Sequence, residues 1–171
     1  AYKYALGRLV FRKDIKNIYT MDADGSHQPE YLNDLRQALK NENGACLVVG
    51  SRYVPGGGIE NWGLVRRWLS KFGNLYAKYL LSVPINDLTA GFVGFSRQAL
   101  QKININSIAS TGYAYQIEFK YRLIKAGAKV KETPIVFSER ALGKSKMSLG
   151  IALEGVAIPW RIRFDRDKIL G

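Results

Sequence analysis

Along the first residues, Tyr2, Leu6, Leu9 and Val10 recur at helical spacing with basic residues between them, which predicts a helix over 2–13. The run Asn17-Ile18-Tyr19-Thr20-Met21 reads as a short buried strand that ends in Asp22-Ala23-Asp24-Gly25-Ser26. Pro29 suits a first helical position, and Tyr31, Leu32, Leu35 and Leu39 give the following helix an apolar stripe until Asn43-Gly44 stops it. The continuous apolar run 45–50 has strand length, so strand, helix and strand predict a parallel βαβ unit. Pro55-Gly56-Gly57-Gly58 reads as a mobile loop outside regular structure. A long amphipathic helix is expected over 65–81, then a turn at 87–92 running into a strand. A further helix follows over 112–126, with Gly127 as its stop signal. Residues 129–137 alternate like a half-buried strand, and Pro134 points to an edge. The stretch 147–164 is helical and amphipathic, interrupted by Pro159.

The alternation of strands and helices predicts an α/β chain with a mostly parallel sheet flanked by helices. With 171 residues, 47% of them hydrophobic, the chain can bury a core, which excludes wholesale disorder. No internal repeat, low-complexity tract or composition shift marks a second domain. Cys46 is the lone cysteine and His27 the lone histidine, which excludes an intrachain disulfide, a Cys-based zinc site and a poly-histidine site. No window approaches the roughly 18 uninterrupted apolar residues of a membrane-spanning helix. Lys and Arg total 26 against 14 Asp and Glu, and the resulting +12 points to an anionic partner: nucleic acid, a phosphorylated molecule or an anionic lipid surface.

Asp22-Ala23-Asp24 directly follows a strand, and ligands of α/β sheets bind beyond the carboxyl ends of strands. Carboxylates two residues apart at a strand end can face one crevice, where their hard oxygens suit Mg²⁺ or Mn²⁺ bridging to substrate phosphates. An Asx turn capping the next helix is the competing reading.

The segment Met21 to Glu30 resembles the Asp-x-Asp segment of the dolichol-phosphate (polyprenol-phosphate) mannose synthases, inverting glycosyltransferases of family 2 with a GT-A fold. Four more segments agree in order: 50–57 with the Gly-Ser-Arg loop, Asn61-Trp62 through Arg66-Arg67 with the next helix start, 87–92 with the Asp-x-Thr-Ser/Ala-Gly-Phe turn, and 139–147 with the Glu-Arg-x-x-Gly-x-Ser-Lys-Met loop. The family's first strand, with its Pro-x-Tyr-Asn-Glu turn, has no counterpart here, so the chain is expected to be an N-terminally truncated view of the enzyme. On this resemblance residues 1–146 are a partial GT-A catalytic domain and 147–171 an amphipathic, membrane-interfacial region.

The resemblance implies transfer of mannose from GDP-mannose to a polyprenyl monophosphate. Asp24 is then the expected metal ligand, Asp22 a contact to the nucleotide ribose or to the metal through water, and Ser26 a weak or water-mediated ligand. Arg52 and Arg66, with Ser70 one helical turn beyond, are expected to hold the acceptor phosphate, because a guanidinium fork matches phosphate oxygens. Arg140, with Lys144 after it, is expected on the donor diphosphate. Ser145 and Lys146 belong to that motif without an assigned role. Asp87 either hydrogen-bonds the sugar, orients Arg52, or closes an Asx turn. Gln116 and Glu118 are candidate sugar contacts. A phosphate nucleophile, with a second pKa near ~6, is already ionised at neutral pH and needs no strong base, so His27 reads as a turn residue.

A polyprenyl phosphate lies in a bilayer, so the resemblance also implies attachment to a membrane surface with a cytoplasmic catalytic face. Met147, Ile151, Leu153, Val156, Ile158, Trp160 and Ile162 with Arg161, Arg163 and Arg166 fit an interfacial helix, against the alternative of a helix packed on the core. Trp62, Leu64, Trp68 and Leu69 supply a second apolar surface near Arg66. Relatives of this type carry spanning helices or recruit a small membrane subunit. Two other functions compete. One is a transferase of the same family using UDP-glucose or another sugar on the same lipid. The other is a non-catalytic nucleic-acid-binding module, which the scattered basic residues and the acidic turn disfavour.

Overall fold

In the computed structural model the described residues are 2–138 and 149–164, with the side chains of the last helix described from 156 onward. The elements run in the order α1 (Tyr2–Leu9), β1 (Asn17–Thr20), α2 (Tyr31–Lys40), β2 (Cys46–Ser51), β3 (Gly58–Ile59), α3 (Leu64–Leu81), β4 (Val93–Ser96), α4 (Arg97–Gln101), a single 3-10 turn (Ile105–Ser107), α5 (Gly112–Lys125), β5 (Lys129–Pro134), β6 (Val136–Phe137) and α6 (Leu149–Phe164).

The main sheet has the order β1-β4-β2-β5. β2 and β5 pair in parallel, while β4 lies antiparallel to both β1 and β2. Three of the four strands therefore point one way, and helices flank the sheet. The expected β1-α2-β2 unit does have parallel strands, but β4 is inserted between them. That pairing joins residues such as Ile18 and Phe95, far apart in sequence, and no local pattern encodes it.

β2 is buried on both faces, and its alternate residues serve two cores. Cys46 and Val48 pack with Leu35 and Leu39 of α2, Phe92 and Ile135. Leu47 and Val49 face the larger core with Ile18, Phe95, Leu81 and the aromatic residues of α5. α5 is buried almost all round, from Ala114 to Leu123, so it has no solvated face.

The segment expected as a mobile loop is ordered differently. Gly57 N–H donates to Val54 O (2.9 Å), and Gly58–Ile59 pairs with β6 in a small parallel ladder. Gly57 is required there, since a Cβ would lie 2.5 Å from Ser51 O. The strand expected over 129–137 breaks at Ile135, whose side chain turns into the core, and β5 forms the sheet edge among the described residues, as Pro134 suggested. The first helix ends earlier than expected, at Leu9. α6 continues through Pro159 rather than breaking there. Its Ile158 and Ile162 join the larger core, while Val156, Trp160, Arg161 and Arg163 face solvent. From 156 onward the helix is thus packed on one face and exposed on the other. Met147 and Arg166 lie outside the described residues, and the side chains of Ile151 and Leu153 are likewise undescribed.

Candidate active site

The strand directions decide where the site forms. β1, β2 and β5 end at one edge of the sheet, and β4, running the other way, begins there. The acidic turn 21–27, the loop after Ser51 and the turn 87–92 therefore converge, although the last two are far apart in sequence.

At the end of β1 the turn is braced from behind. The Asp24 carboxylate accepts from the Ser26 N–H (3.1 Å) and from the Ser26 hydroxyl, and Ser26 is fully buried. Asp22 N–H donates to His27 Nδ1 (3.0 Å), so the imidazole proton sits on Nε2. His27 packs at 5.1 Å from the Phe92 ring and 5.3 Å from Phe137. Burial pulls its pKa down against the pull of the nearby Asp22, which keeps it neutral in this aromatic surround. His27 thus serves the turn, in line with its sequence reading. Asp22 and Asp24 remain partly exposed, and the Asp22 oxygens lie against Gly91, where a Cβ would be 3.3 Å from each.

Beyond β2, Arg52 pairs with Asp87. Its Nε and Nη2 donate to the two oxygens of Asp87, each at 2.7 Å, Nη2 also reaches Thr89 Oγ1 (2.8 Å), and its backbone N–H donates to Asp87 as well (3.0 Å). Its side chain is 8% exposed and that of Asp87 is 0% exposed. The rings of Tyr53, Trp62 and Phe137 surround the guanidinium at 5.3 to 5.6 Å. Burial works to lower the pKa of Arg52, but the Asp87 charge and its hydrogen bonds outweigh burial and raise it. Burial likewise works to raise Asp87, yet Arg52 holds it below the usual carboxylate range. Arg52, expected on the acceptor phosphate, has its charge met by Asp87 inside the protein. Of the roles open to Asp87, the geometry is that of orienting Arg52.

Arg66 stands at the first turn of α3, with its guanidinium carbon 3.8 Å from the centre of the Trp62 ring. The same ring flanks Arg52, so Trp62 separates an internal guanidinium from one nearer the surface. Ser70 is one turn further along, and its hydroxyl accepts from Tyr53 (2.7 Å). Gln116 is buried and its side-chain oxygen lies 3.4 Å from Lys120 Nζ. Glu118, a candidate sugar contact, is bound by Arg122 at 2.7 Å and accepts from the N–H groups of Ala109 and Ser110. Arg140 and Lys144, with Ser145 and Lys146, lie outside the described residues.

Sequence reasoning missed the buried polar frame behind these groups. Asn74 donates to Thr89 Oγ1 (3.1 Å) and accepts from Thr89 N–H (3.1 Å), tying α3 to the turn. Glu132 of β5 accepts from Asn86 and from Asp87 N–H. Lys120 donates into the same turn from below. A usable signal existed only for Lys120, which sits among Ile117, Phe119, Tyr121 and Leu123 on a helix lacking a consistent polar face.

Among the described residues no group of three or more His, Cys, Asp or Glu side chains could hold a metal by itself. The partly exposed pair Asp22 and Asp24 fits a different kind of cation site, in which one or two carboxylates are completed by substrate phosphates and water.

Comparison with known proteins agrees with this arrangement. The sequence model of glycosyl transferase family 2 matches residues 11–104. The polyprenol monophosphomannose synthase of Mycolicibacterium smegmatis is 44% identical over 162 residues, covering 94% of this chain and 60% of that protein. The undecaprenyl-phosphate mannosyltransferase of Micrococcus luteus is 44% identical over 136 residues, covering 80% of this chain and 55% of that protein. The chain thus spans somewhat over half the length of these relatives. Its α/β architecture, a mixed and mainly unidirectional sheet flanked by helices, is consistent with a GT-A fold. The chain belongs to glycosyltransferase family 2.

Proposed function

We propose that this protein transfers mannose from GDP-mannose to a polyprenyl monophosphate with inversion, giving polyprenyl-phosphate mannose and GDP. The observation that carries the reading is that a partly exposed carboxylate pair and an arginine-bearing helix start are linked through one ring: Phe137 meets His27 of the acidic turn and Trp62, on which Arg66 lies. The names of the two relatives supply the sugar and the class of lipid.

Asp24 and Asp22 would hold Mg²⁺ or Mn²⁺, with Ser26 fixing the Asp24 carboxylate. When bound, the ion supplies charge neutralisation for the departing diphosphate. Arg66, with Ser70 behind it, would hold the lipid phosphate in line with the anomeric carbon. A phosphate oxygen forms the new bond to that carbon as the bond to the diphosphate oxygen breaks, on the opposite face of the sugar. The lipid phosphate is ionised near neutral pH, its second pKa being near ~6, so no side chain has to remove a proton. Arg52 and Asp87 act as a buried brace for this geometry, and Arg140 and Lys144 remain the proposed diphosphate contacts.

Attachment to a membrane surface belongs to the same reading. α3 turns Val65, Trp68, Leu69, Phe72 and Tyr79 to solvent, with Trp68 56% and Phe72 58% exposed. Trp160 and Phe164 of α6 add a second exposed aromatic pair. Such a face suits the boundary of a bilayer. No helix among the described residues is long and apolar enough to cross a membrane, so a small membrane subunit or a spanning domain remains part of the proposal. The catalytic face would be cytoplasmic, and residues 147–171 would act at the interface.

The test is transfer of radiolabelled mannose into an organic-extractable lipid by purified full-length protein with Mg²⁺ or Mn²⁺. Transfer from GDP-mannose, at least a hundredfold lower in Asp24→Ala and abolished by EDTA, is expected. Transfer from UDP-glucose in its place would refute the donor assignment.

A further inference from the structure

One lysine of α5 points into the protein. Lys120 is completely buried, and its Nζ donates to Leu88 O at 2.9 Å and Ala90 O at 2.6 Å, with Gln116 O and Oε1 each 3.4 Å away. Both of the nearer carbonyls belong to the turn 87–91. The residues beside them build the site. Asp87 and Thr89 hold Arg52, and Thr89 also meets Asn74 of α3. Gly91 O accepts from Thr20 Oγ1 (3.0 Å) at the end of β1, and the Gly91 backbone abuts the Asp22 carboxylate. One ammonium thus spans the turn from its arginine side to its acidic side.

The chemistry of the turn calls for this group. Two carbonyls aimed at one buried point need a donor with at least two hydrogens, and a lysine amino group has two when neutral and three when charged. Leaving both carbonyls unpartnered in the interior would be costly. Burial is the largest influence and works against the charge of Lys120, Asp87 and Glu132 favour it, and Arg52 opposes it. We propose that Lys120 is a positioning residue of the transferase: it clamps the turn 87–91 so that the Arg52–Asp87 pair and the Asp22 carboxylate keep a fixed mutual placement.

The catalytic half of this proposal rests on the transferase reading, whereas the clamp itself does not. Lys120→Met keeps the length of the side chain and removes every donor. If it does not fold, Lys120→Gln, which keeps one donating group, is read in its place. Hydrogen exchange of the amides of 87–91 should speed up at least tenfold in the folded variant, while the amides of β2 stay protected. With GDP-mannose and polyprenyl phosphate, kcat should fall at least tenfold while KM for the lipid changes less than threefold, a split that general loosening of the core would not produce. Either readout unchanged in a folded variant overturns the proposal. If the parent protein transfers no mannose, the functional reading fails, and exchange alone decides whether Lys120 clamps the turn.

Discussion

A buried carboxylate and a buried guanidinium stabilise a fold only as a pair, because each left alone would carry an uncompensated charge. Asp87 and Arg52 meet this condition fully, with two side-chain bonds, a backbone bond and a Thr89 contact. Asp87→Asn should therefore cost about 3 kcal/mol at neutral pH, measured by urea denaturation. The pH dependence has a definite sign. The pKa of Asp87 is depressed in the folded protein, so its contribution is complete above the unfolded value near ~3.9 and is lost as pH falls through the lower folded one. The deficit of the variant should shrink correspondingly below about pH 4. Lys120 has the same sign in a higher window, since burial, the largest influence, brings it down to about 7. Between about 7 and 10 the unfolded chain binds more protons than the folded one, so this group makes stability rise with pH. In Lys120→Met that rise should flatten, as parallel urea titrations at pH 7 and pH 9 would reveal. Little of this was legible from the residues one by one, although Asp87 orienting Arg52 was among the roles the resemblance implied. Asp22 and Asp24 stand out because strand and turn are adjacent in sequence, but Arg52 and Asp87 are 35 positions apart and meet only once β2 lies beside β4.

At the scale of elements, α3 carries two unlike faces. Asn74, Ala77 and Leu81 are buried, with Asn74 tied to Thr89, while Trp68, Leu69 and Phe72 are exposed and Trp68 stacks on Phe72 at 5.4 Å. The faces should therefore fail differently. Leu69→Asp with Phe72→Asp should leave thermal stability within about 1 kcal/mol of the parent, since surface changes cost little, and should reduce sedimentation with lipid vesicles at least tenfold. Asn74→Ala should leave vesicle binding intact and cost roughly 1–3 kcal/mol of stability, because Thr89 N–H loses its buried acceptor. Equal vesicle binding by parent and double variant would remove α3 from the membrane contact. The helix itself was readable from its period, as was α2, while β2 was readable as a continuous apolar run and the end of α5 from Gly127. The insertion of β4 and the β3–β6 ladder were not, because strand pairing between distant segments leaves no mark on local periodicity. Pro55 to Gly58 read as loose because three glycines favour turns, yet Gly57 is there to let the chain pass close to Ser51.

For the whole molecule the decisive quantity is the net charge of +12 together with where apolar surface remains uncovered. Charge alone would attract nucleic acid or anionic lipid equally, but a duplex keeps its bases stacked away from the exposed Trp68–Phe72 and Trp160–Phe164 pairs, and the exposed aliphatic Val65 and Leu69 beside them suit hydrocarbon. A bilayer answers both features, and each has its own salt dependence. Basic residues near an anionic surface contribute about 1 kcal/mol apiece and are screened within a Debye length, about 10 Å at 0.1 M salt. Burial of aromatic side chains in the headgroup region is not screened. Binding to vesicles containing anionic lipid should therefore weaken at least tenfold between 0.05 and 0.5 M NaCl without disappearing. The Leu69→Asp, Phe72→Asp double variant should be released further by the same salt than the parent, because its unscreened component is reduced to Trp68 and the Trp160–Phe164 pair. Binding to neutral vesicles should be weak and indifferent to salt. Sedimentation that vanishes for the parent protein at high salt would mean that charge alone holds it, and the apolar face of α3 would then need a different partner.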